Sequence, residues 1–311
     1  MGKYIHFTEE EKNRANEVDL VDFLRYQGER LVSSGREKRL TSNHSITVRG
    51  NEWYDHATER GGYAIDFVKS HYGLSFPDAV LMLLGGEQKL SYRPASEKPI
   101  EKKPFALPPP NRDMRRVYAY LIKSRHLSRE VVHCFAQANL LYESRELSAD
   151  GMTEYHNAIF VGVDEAGIPR HAHKRGLYTE GKGFKGNVEG SSPAHCFHYV
   201  GSSDHLYVFE APIDMLSFLT LYPQSWQDHS YVSLCGVGSQ SMLWMLETYP
   251  HLQTVALCLD NDTPGHKASS RLETQLQEQG YTVERCLSQG KDWNEDISQT
   301  TQLAGYSMEM R

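Results

Sequence analysis

Apolar positions change their spacing along the chain, and the changes divide it. Val18, Leu20, Val21, Phe23 and Leu24 recur at helical spacing. Thr8 ahead of Glu9, Glu10 and Glu11 predicts a helix start with an acidic first turn. Arg39–Val48 and Asn51–His56 read as strands, with a turn at Arg49-Gly50. Gly61-Gly62 breaks the pattern before Ala64, Ile65, Phe67 and Val68 open an amphipathic helix. Ser75 and Pro77 predict a further helix over Phe76–Leu84, closed by Gly85-Gly86. Residues 112–137 are helical in spacing, with Ser128 capping a second short helix. Ala138–Tyr142, Ala158–Val163 and Pro169–Lys174 are strand-like, with a turn at Asp164–Gly167.

From residue 205 the rhythm becomes strand, helix, strand. Leu206–Phe209, Tyr231–Leu234, Val255–Leu259 and Thr282–Cys286 read as strands. Met215–Leu221, Ser239–Thr248 and His266–Gln279 read as helices. Such alternation predicts a parallel sheet covered on both faces. The expected fold is an α+β N-terminal domain (1–88), a Pro- and Lys-rich linker (89–111), a basic module (112–200) and an α/β domain (201–311). The last has a small parallel sheet flanked by helices.

Composition narrows the class. The 311 residues carry 33 Lys and Arg against 40 Asp and Glu, with 39% apolar residues, as expected of a soluble globular protein. Neither a membrane span nor a secretory leader is expected, since no apolar run reaches about 18 residues and the N-terminus is charged. The five cysteines are scattered and never spaced CxxC. That predicts a reducing cytoplasm and argues against a Cys-rich zinc site. Charge is uneven: nine basic and two acidic residues lie between Lys98 and Arg129, whereas fourteen acidic and five basic residues follow Ser202. A basic middle suits a polyanion and an acidic end suits metal cations.

The candidate chemistry sits just past the predicted parallel strands. Glu210 ends LYVFE, with Asp214 four residues on. Asp260 and Asp262 lie in VALCLDNDTPGHKA, where Gly265 allows a tight turn into the next helix. Lys291, Asp292, Asn294, Glu295 and Asp296 come after the last strand as KDWNED. The carboxyl edge of an open α/β sheet is where ligands bind. Paired aspartates one residue apart suit Mg2+, which takes a few carboxylate oxygens plus water and phosphate oxygens. A lone DxD is usually a solvated turn; three acidic groups, each after an apolar strand, make a stronger signal. In the middle region Arg170, Lys174, Arg175, Lys182 and Lys185 are interleaved with Gly176, Gly181, Gly183 and Gly186. That combination suits phosphate or nucleic-acid contact.

FEAPIDMLS, LCLDNDTPGHKA and KDWNED together resemble the Toprim domain of primases, type IA and II topoisomerases and related nucleases, and lie closest to the primase branch. The resemblance implies that Glu210 is the acid/base or metal-binding carboxylate, that Asp260 and Asp262 bind Mg2+ (or Mn2+), and that Asp292 supports them. Two departures stand out. Asn294 occupies a further acidic position of the primase pattern, which bears on the second metal. Ala211-Pro212 replaces the Gly that usually comes after the Glu. VDLVDFL, KRLTSNHSITV and EWYDHATERGGYAIDFVKSHYGLSFPDAVLML are similar to the zinc-binding domain of bacterial replicative primases. Its three Cys and one His correspond here to Thr41, His44, Asp55 and Thr58. Zinc wants about four ligands, so no zinc is expected; Trp53, Tyr54, Ile46 and Phe67 would hold the unit by packing. Arg36, Lys38, Arg39, Arg49, Arg60, Trp53 and Tyr54 serve there either template contact or core and solvated surface. Residues 105–200 look like the module preceding Toprim in plasmid- and mobile-element-encoded proteins of unassigned function.

The expectation is a DNA primase-like enzyme: an Mg2+-dependent nucleotidyltransferase acting on single-stranded DNA with nucleoside triphosphates. Its partners would be plasmid or mobile-element replication or transfer proteins, without a membrane. Arg170, Lys174, Arg175, Lys182, Lys185 and Lys291 would hold nucleotide or strand. The alternatives are a Toprim nuclease or nickase, and a non-catalytic DNA-binding accessory protein.

Overall fold

Thr8 opens the first helix as its sequence predicts: its Oγ1 accepts from the Glu11 amide at 3.2 Å, and Glu11 accepts from the Thr8 amide at 2.8 Å. This computed structural model describes residues 7–85, 104–148, 151–178, 183–236 and 238–300. The greater part of the predicted linker and Lys182 lie outside them. The chain divides into two compact units, Met1–Glu101 and Lys102–Arg311.

The first unit holds α1 (Glu9–Asn16), α2 (Leu20–Tyr26), α3 (Ala64–Tyr72) and α4 (Phe76–Leu83). They accompany an antiparallel meander of β1 (Leu31–Ser34), β2 (Glu37–Leu40), β3 (Ile46–Arg49), β4 (Glu52–Asp55) and β5 (Arg60–Tyr63). Leu20, Phe23, Leu24, Leu40, Phe67 and Val80 form its core. Trp53 is buried edge-on against Phe67 at 5.7 Å between centroids, so it is core and not a platform for bases. Tyr54 is half-buried against His56. Among the four positions equivalent to zinc ligands, His44 is exposed, and Asp55 accepts from the Thr58 hydroxyl at 2.9 Å.

The second unit begins with α5 (Arg115–Tyr118), which runs on through a π-type segment at Ala119–Ser124, and α6 (Arg129–Gln137). An antiparallel meander comes next: β6 (Leu141–Leu147), β7 (Glu154–Val163), β8 (Pro169–Gly176) and β9 (Lys185–Asn187). The predicted strand at Ala138–Tyr142 therefore lies further along. The reason is Glu143, buried in a segment too polar to read as sheet. It is satisfied by Asn111 at 2.8 Å, His156 at 2.8 Å and Arg116 at 3.3 Å.

Beyond it lie β10 (His198–Tyr199), β11 (His205–Phe209), β12 (Ser230–Ser233), β13 (Thr254–Leu257) and β14 (Thr282–Arg285), in the sheet order β10-β12-β11-β13-β14. All but the short β10 run parallel, giving the α/β architecture expected. Alternation of side chains divides the strands' two faces. Leu206, Val208, Val232, Val255 and Leu257 pack with α8 (Gln240–Thr248) and α9 (Thr263–Glu278). Phe209, Tyr231, Ala256 and Cys258 pack with α7 (Pro212–Leu221) and with Phe135, Leu141, Ala158 and Phe160 of the preceding meander and helix. The basic module and the parallel sheet thus share one core.

Candidate active site

Parallel register brings the acidic groups to one rim. Val208 pairs Leu257, and the Cys258 amide donates to the Val208 carbonyl at 2.8 Å. Neighbouring strands lie about 4.8 Å apart, so Glu210 leaves β11 opposite Leu259, one residue before Asp260 on the adjacent strand. The strand order also reverses here, β12 lying on one side of β11 and β13 on the other. After Glu210 the chain stays extended at Ala211 (φ −130°) and Pro212 enters the first turn of α7. No positive φ is needed, so the missing Gly costs the site nothing in backbone conformation.

The start of α9 shapes the DxD segment. Asp262 caps this helix, its Oδ1 accepting from the Gly265 amide at 3.0 Å. Gly265 lies against the Asp260 backbone: a Cβ there would fall 2.0 Å from the Asp260 carbonyl oxygen. Asn261, unremarked in the sequence, clamps the third acidic loop. Its amide donates to the Lys291 carbonyl at 2.7 Å and its Nδ2 to the Ser288 carbonyl at 3.0 Å. Trp293 is buried beneath, donating from Nε1 to the Cys258 carbonyl at 2.9 Å. Asp292 caps the helical residues 293–300 by accepting from the Glu295 amide at 2.8 Å. Glu295 and Asp296 fold back on the amides of Lys291 and Gly290, so they shape the loop.

Asn294 faces away from this rim. Its Nδ2 donates to the Arg125 carbonyl at 2.8 Å and the Ser217 hydroxyl at 3.1 Å, and its Oδ1 accepts from Arg125 Nη1 at 3.2 Å. A carboxylate could not make the two donations, so the amide here suits a buried structural post.

The electrostatics are those of crowded carboxylates. Burial, then Asp260, push the Glu210 carboxyl up to about 7, while Lys185 and Lys291 act against the rise. Burial, then Asp292 and Asp262, push Asp260 up to about 6. Asp214 is buried below them, accepts from the Asn294 amide and is driven well above the usual carboxylate range by desolvation. Lys291 Nζ lies 3.5 Å from Asp262 Oδ2, and that carboxylate raises its ammonium. Asp260 Oδ1 is buried without a hydrogen-bond partner. An orphaned carboxylate oxygen amid mutually repelling acids suits a divalent cation. Glu210, Asp260 and Asp262, with Asp292 beside them, are the residues that would hold it.

The predicted basic cluster is split. Lys185 and Arg175 pair across β9 and β8 and so share a face, and Lys185 acts on Glu210 and Asp260. Arg175 Nε and Arg125 Nε both donate to the Tyr120 hydroxyl, at 3.1 and 2.9 Å. This links β8 through Arg125 to Asn294. Lys174, one residue along, points to the other face and ion-pairs Glu146 at 2.5 Å. It lines a cleft with Tyr155, Tyr178 and Phe184, whose rings are exposed. Arg170 pairs Asp164 at 2.7 Å beside the β7–β8 turn, five residues from Arg175 along the strand. Arg125 and Tyr120 were missed because they precede the basic cluster by some fifty residues; only the fold joins them.

Comparison with known proteins finds two family matches along the second unit. Residues 207–297 match the Toprim-like family, Toprim_2, so that stretch is Toprim-like. Residues 119–203 match a family described as a protein of unknown function, DUF3991. The chain is similar to the uncharacterized protein pXO2-78 of Bacillus anthracis, 27% identical over 286 residues, covering 86% of this chain and 79% of that protein. Solved structures similar to it include the primase fragment of the bacteriophage T7 primase-helicase protein (14% identity, TM-score 0.46, 86% of this chain and 92% of that one). Another is the Aquifex aeolicus primase with its zinc-binding and RNA polymerase domains (16% identity, TM-score 0.39, 96% and 86%).

Proposed function

We propose that this chain is a primase-like Toprim enzyme that joins ribonucleotides on single-stranded DNA in plasmid or mobile-element replication. It would be a nucleotidyltransferase dependent on Mg2+ or Mn2+, working in the cytoplasm. Among the described residues no helix is long and apolar enough to cross a membrane. The observation that carries the reading is the rim itself: Glu210, Asp260 and Asp262 on adjacent strand ends, one carboxylate oxygen buried and unpartnered, with Lys185 close enough to act on two of them.

The residues divide the work. Asp260 and Asp262, supported by Asp292, present oxygens to the cation, which when bound supplies Lewis-acid stabilisation of phosphoryl oxygens. Glu210 is poised near neutrality, where a carboxyl can take the proton of an attacking 3′-hydroxyl. Lys185, Lys291 and Arg175 offer positive charge to a triphosphate. Lys174, with the exposed rings of its cleft, offers a track for a strand, since phosphates meet lysine and bases stack on rings.

The test is incubation with single-stranded DNA, labelled ribonucleoside triphosphates and Mg2+ or Mn2+, wild type against the Asp260→Ala, Asp262→Ala double variant. Polymer growth that the double variant loses supports the proposal. Strand scission lost in the same variant would establish the nuclease reading, with water as the nucleophile. DNA binding without either product would establish the accessory-protein reading.

A further inference from the structure

We propose a second metal site, distinct from the acidic rim: a buried zinc centre of His171, His173, Cys196 and Cys235. No two of its cysteines are near in sequence, which is why their spacing points away from zinc. The fold gathers them. His171 and His173 lie two residues apart on β8 and share the face turned toward the parallel sheet. Cys196 stands just before β10, and Cys235 just after β12, on paired strands: the Ser233 amide donates to the Phe197 carbonyl at 2.9 Å.

The ligand atoms of His171, Cys196 and Cys235 all lie within 4.8 Å of one another, and His171 Nε2 is 3.7 Å from Cys196 Sγ. Zinc bonds of about 2.3 Å to sulfur and about 2.0 Å to nitrogen, set tetrahedrally, place such atoms roughly 3.6–3.8 Å apart. The trio therefore needs a contraction of about 1 Å or less. His173 is the fourth group. Its Nδ1 donates to Asn187 Oδ1 at 2.7 Å, which leaves Nε2 as the ring's acceptor, and it interacts with the Cys235 sulfur. A ligating imidazole held by an outer carbonyl is the usual second support of a zinc site.

Two further observations are independent of these distances. His171 is 1% exposed and its Nδ1 has no hydrogen-bond partner, so no outer contact fixes the ring's tautomer and either nitrogen is open to a metal. The backbone also pays to bring the sulfurs in. Gly162, opposite His171, faces the Cys196 turn so closely that a Cβ would lie 1.7 Å from the His195 carbonyl oxygen. Cys235 takes φ 51°, a left-handed conformation costly for a side-chain-bearing residue. Two thiolates and two imidazoles in a closed tetrahedron select zinc over the hard cation of the acidic rim. The centre would brace that rim from outside, because Gly236, next to Cys235, donates its amide to the Glu210 carbonyl at 3.2 Å.

The full chain, purified under reducing conditions, should carry about one zinc by elemental analysis. The Cys196→Ser, Cys235→Ser double variant should carry none, and His44→Ala should leave the zinc in place. Should the double variant fail to fold, the wild type still decides. Stripped with a chelator and reloaded with Co2+, it should show thiolate-to-cobalt charge-transfer absorption, and chelation should lower its melting temperature. Wild-type protein that takes up neither zinc nor thiolate-bound cobalt overturns the proposal. So does zinc retained by the double variant, zinc lost on His44→Ala, or recovery of Cys196 and Cys235 as a disulfide in folded, metal-free protein.

Discussion

At the scale of single residues, the carboxylates of the rim act through their crowding. Replacing Asp260 by Asn removes the negative charge and one of the two oxygens of a carboxylate whose Oδ1 has no protein partner. If it holds cation, activity should fall by roughly 100-fold or more, since such a contact is worth several kcal/mol in the transition state, while circular dichroism stays native. Crowding also sets a pH dependence. Glu210 and Asp260 keep their protons to about 7 and about 6 in the folded chain, above their ordinary values. Over the interval from their ordinary values to these, the two carboxyls bind more protons in the folded than in the unfolded state, so their contribution to stability falls as pH rises. Desolvated His56, His71, His171, His195 and His198, held below their ordinary value, act the opposite way between about pH 5 and pH 7, so the rim's share is read without divalent cation as the difference between wild type and Glu210→Gln. Relative to Glu210→Gln, the wild-type melting temperature should fall over this interval, and added Mg2+ should offset that relative fall most at the upper end. A wild-type melting temperature that rises relative to that of Glu210→Gln over this interval would contradict the picture. Gly265→Ala tests the DxD geometry: the new methyl meets backbone and not a movable side chain. It should lower stability and activity together.

At the scale of elements, the loop after β14 is a structural joint as much as a chemical one. Trp293 is 1% exposed and anchors it to the end of β13. Trp293→Ala should cost about 3–5 kcal/mol in denaturant unfolding. Asn294 bears on the departure from the primase pattern. Asn294→Asp restores the carboxylate of that pattern, but on a side chain directed to Arg125 and Ser217. It should destabilise the fold and leave cation affinity, measured by calorimetry, unimproved. The position was legible from sequence as a deviation; its direction was not, because helix 293–300 sets which face it joins. The strand ends were legible, since apolar runs followed by acids mark the parallel sheet. The polar β6 was hidden, because Glu143 is satisfied by partners from three other segments.

At the scale of the molecule, the basic meander and the parallel sheet form one body with a common core. A fragment of residues 104–311 should therefore unfold cooperatively. One of residues 201–311 would expose Phe209, Phe218 and Trp226 and should aggregate or bind hydrophobic dye. A soluble, cooperatively folding 201–311 fragment would refute the shared core. The arrangement also explains why Lys185 and Arg175 bear on the rim while Lys174 does not: neighbours along a strand face opposite sides.

The alternation of strands and helices after residue 205, the parallel sheet it forms and the three acidic groups that follow its strands were determined by sequence alone, because periodicity and strand-end chemistry are local properties. Which acids share a rim, which lysines face it, and that Asn294 turns inward were decided by tertiary structure. So was the meeting of His171, His173, Cys196 and Cys235. These depend on strand order, register and side-chain facing, which join residues tens of positions apart and leave no period in the chain.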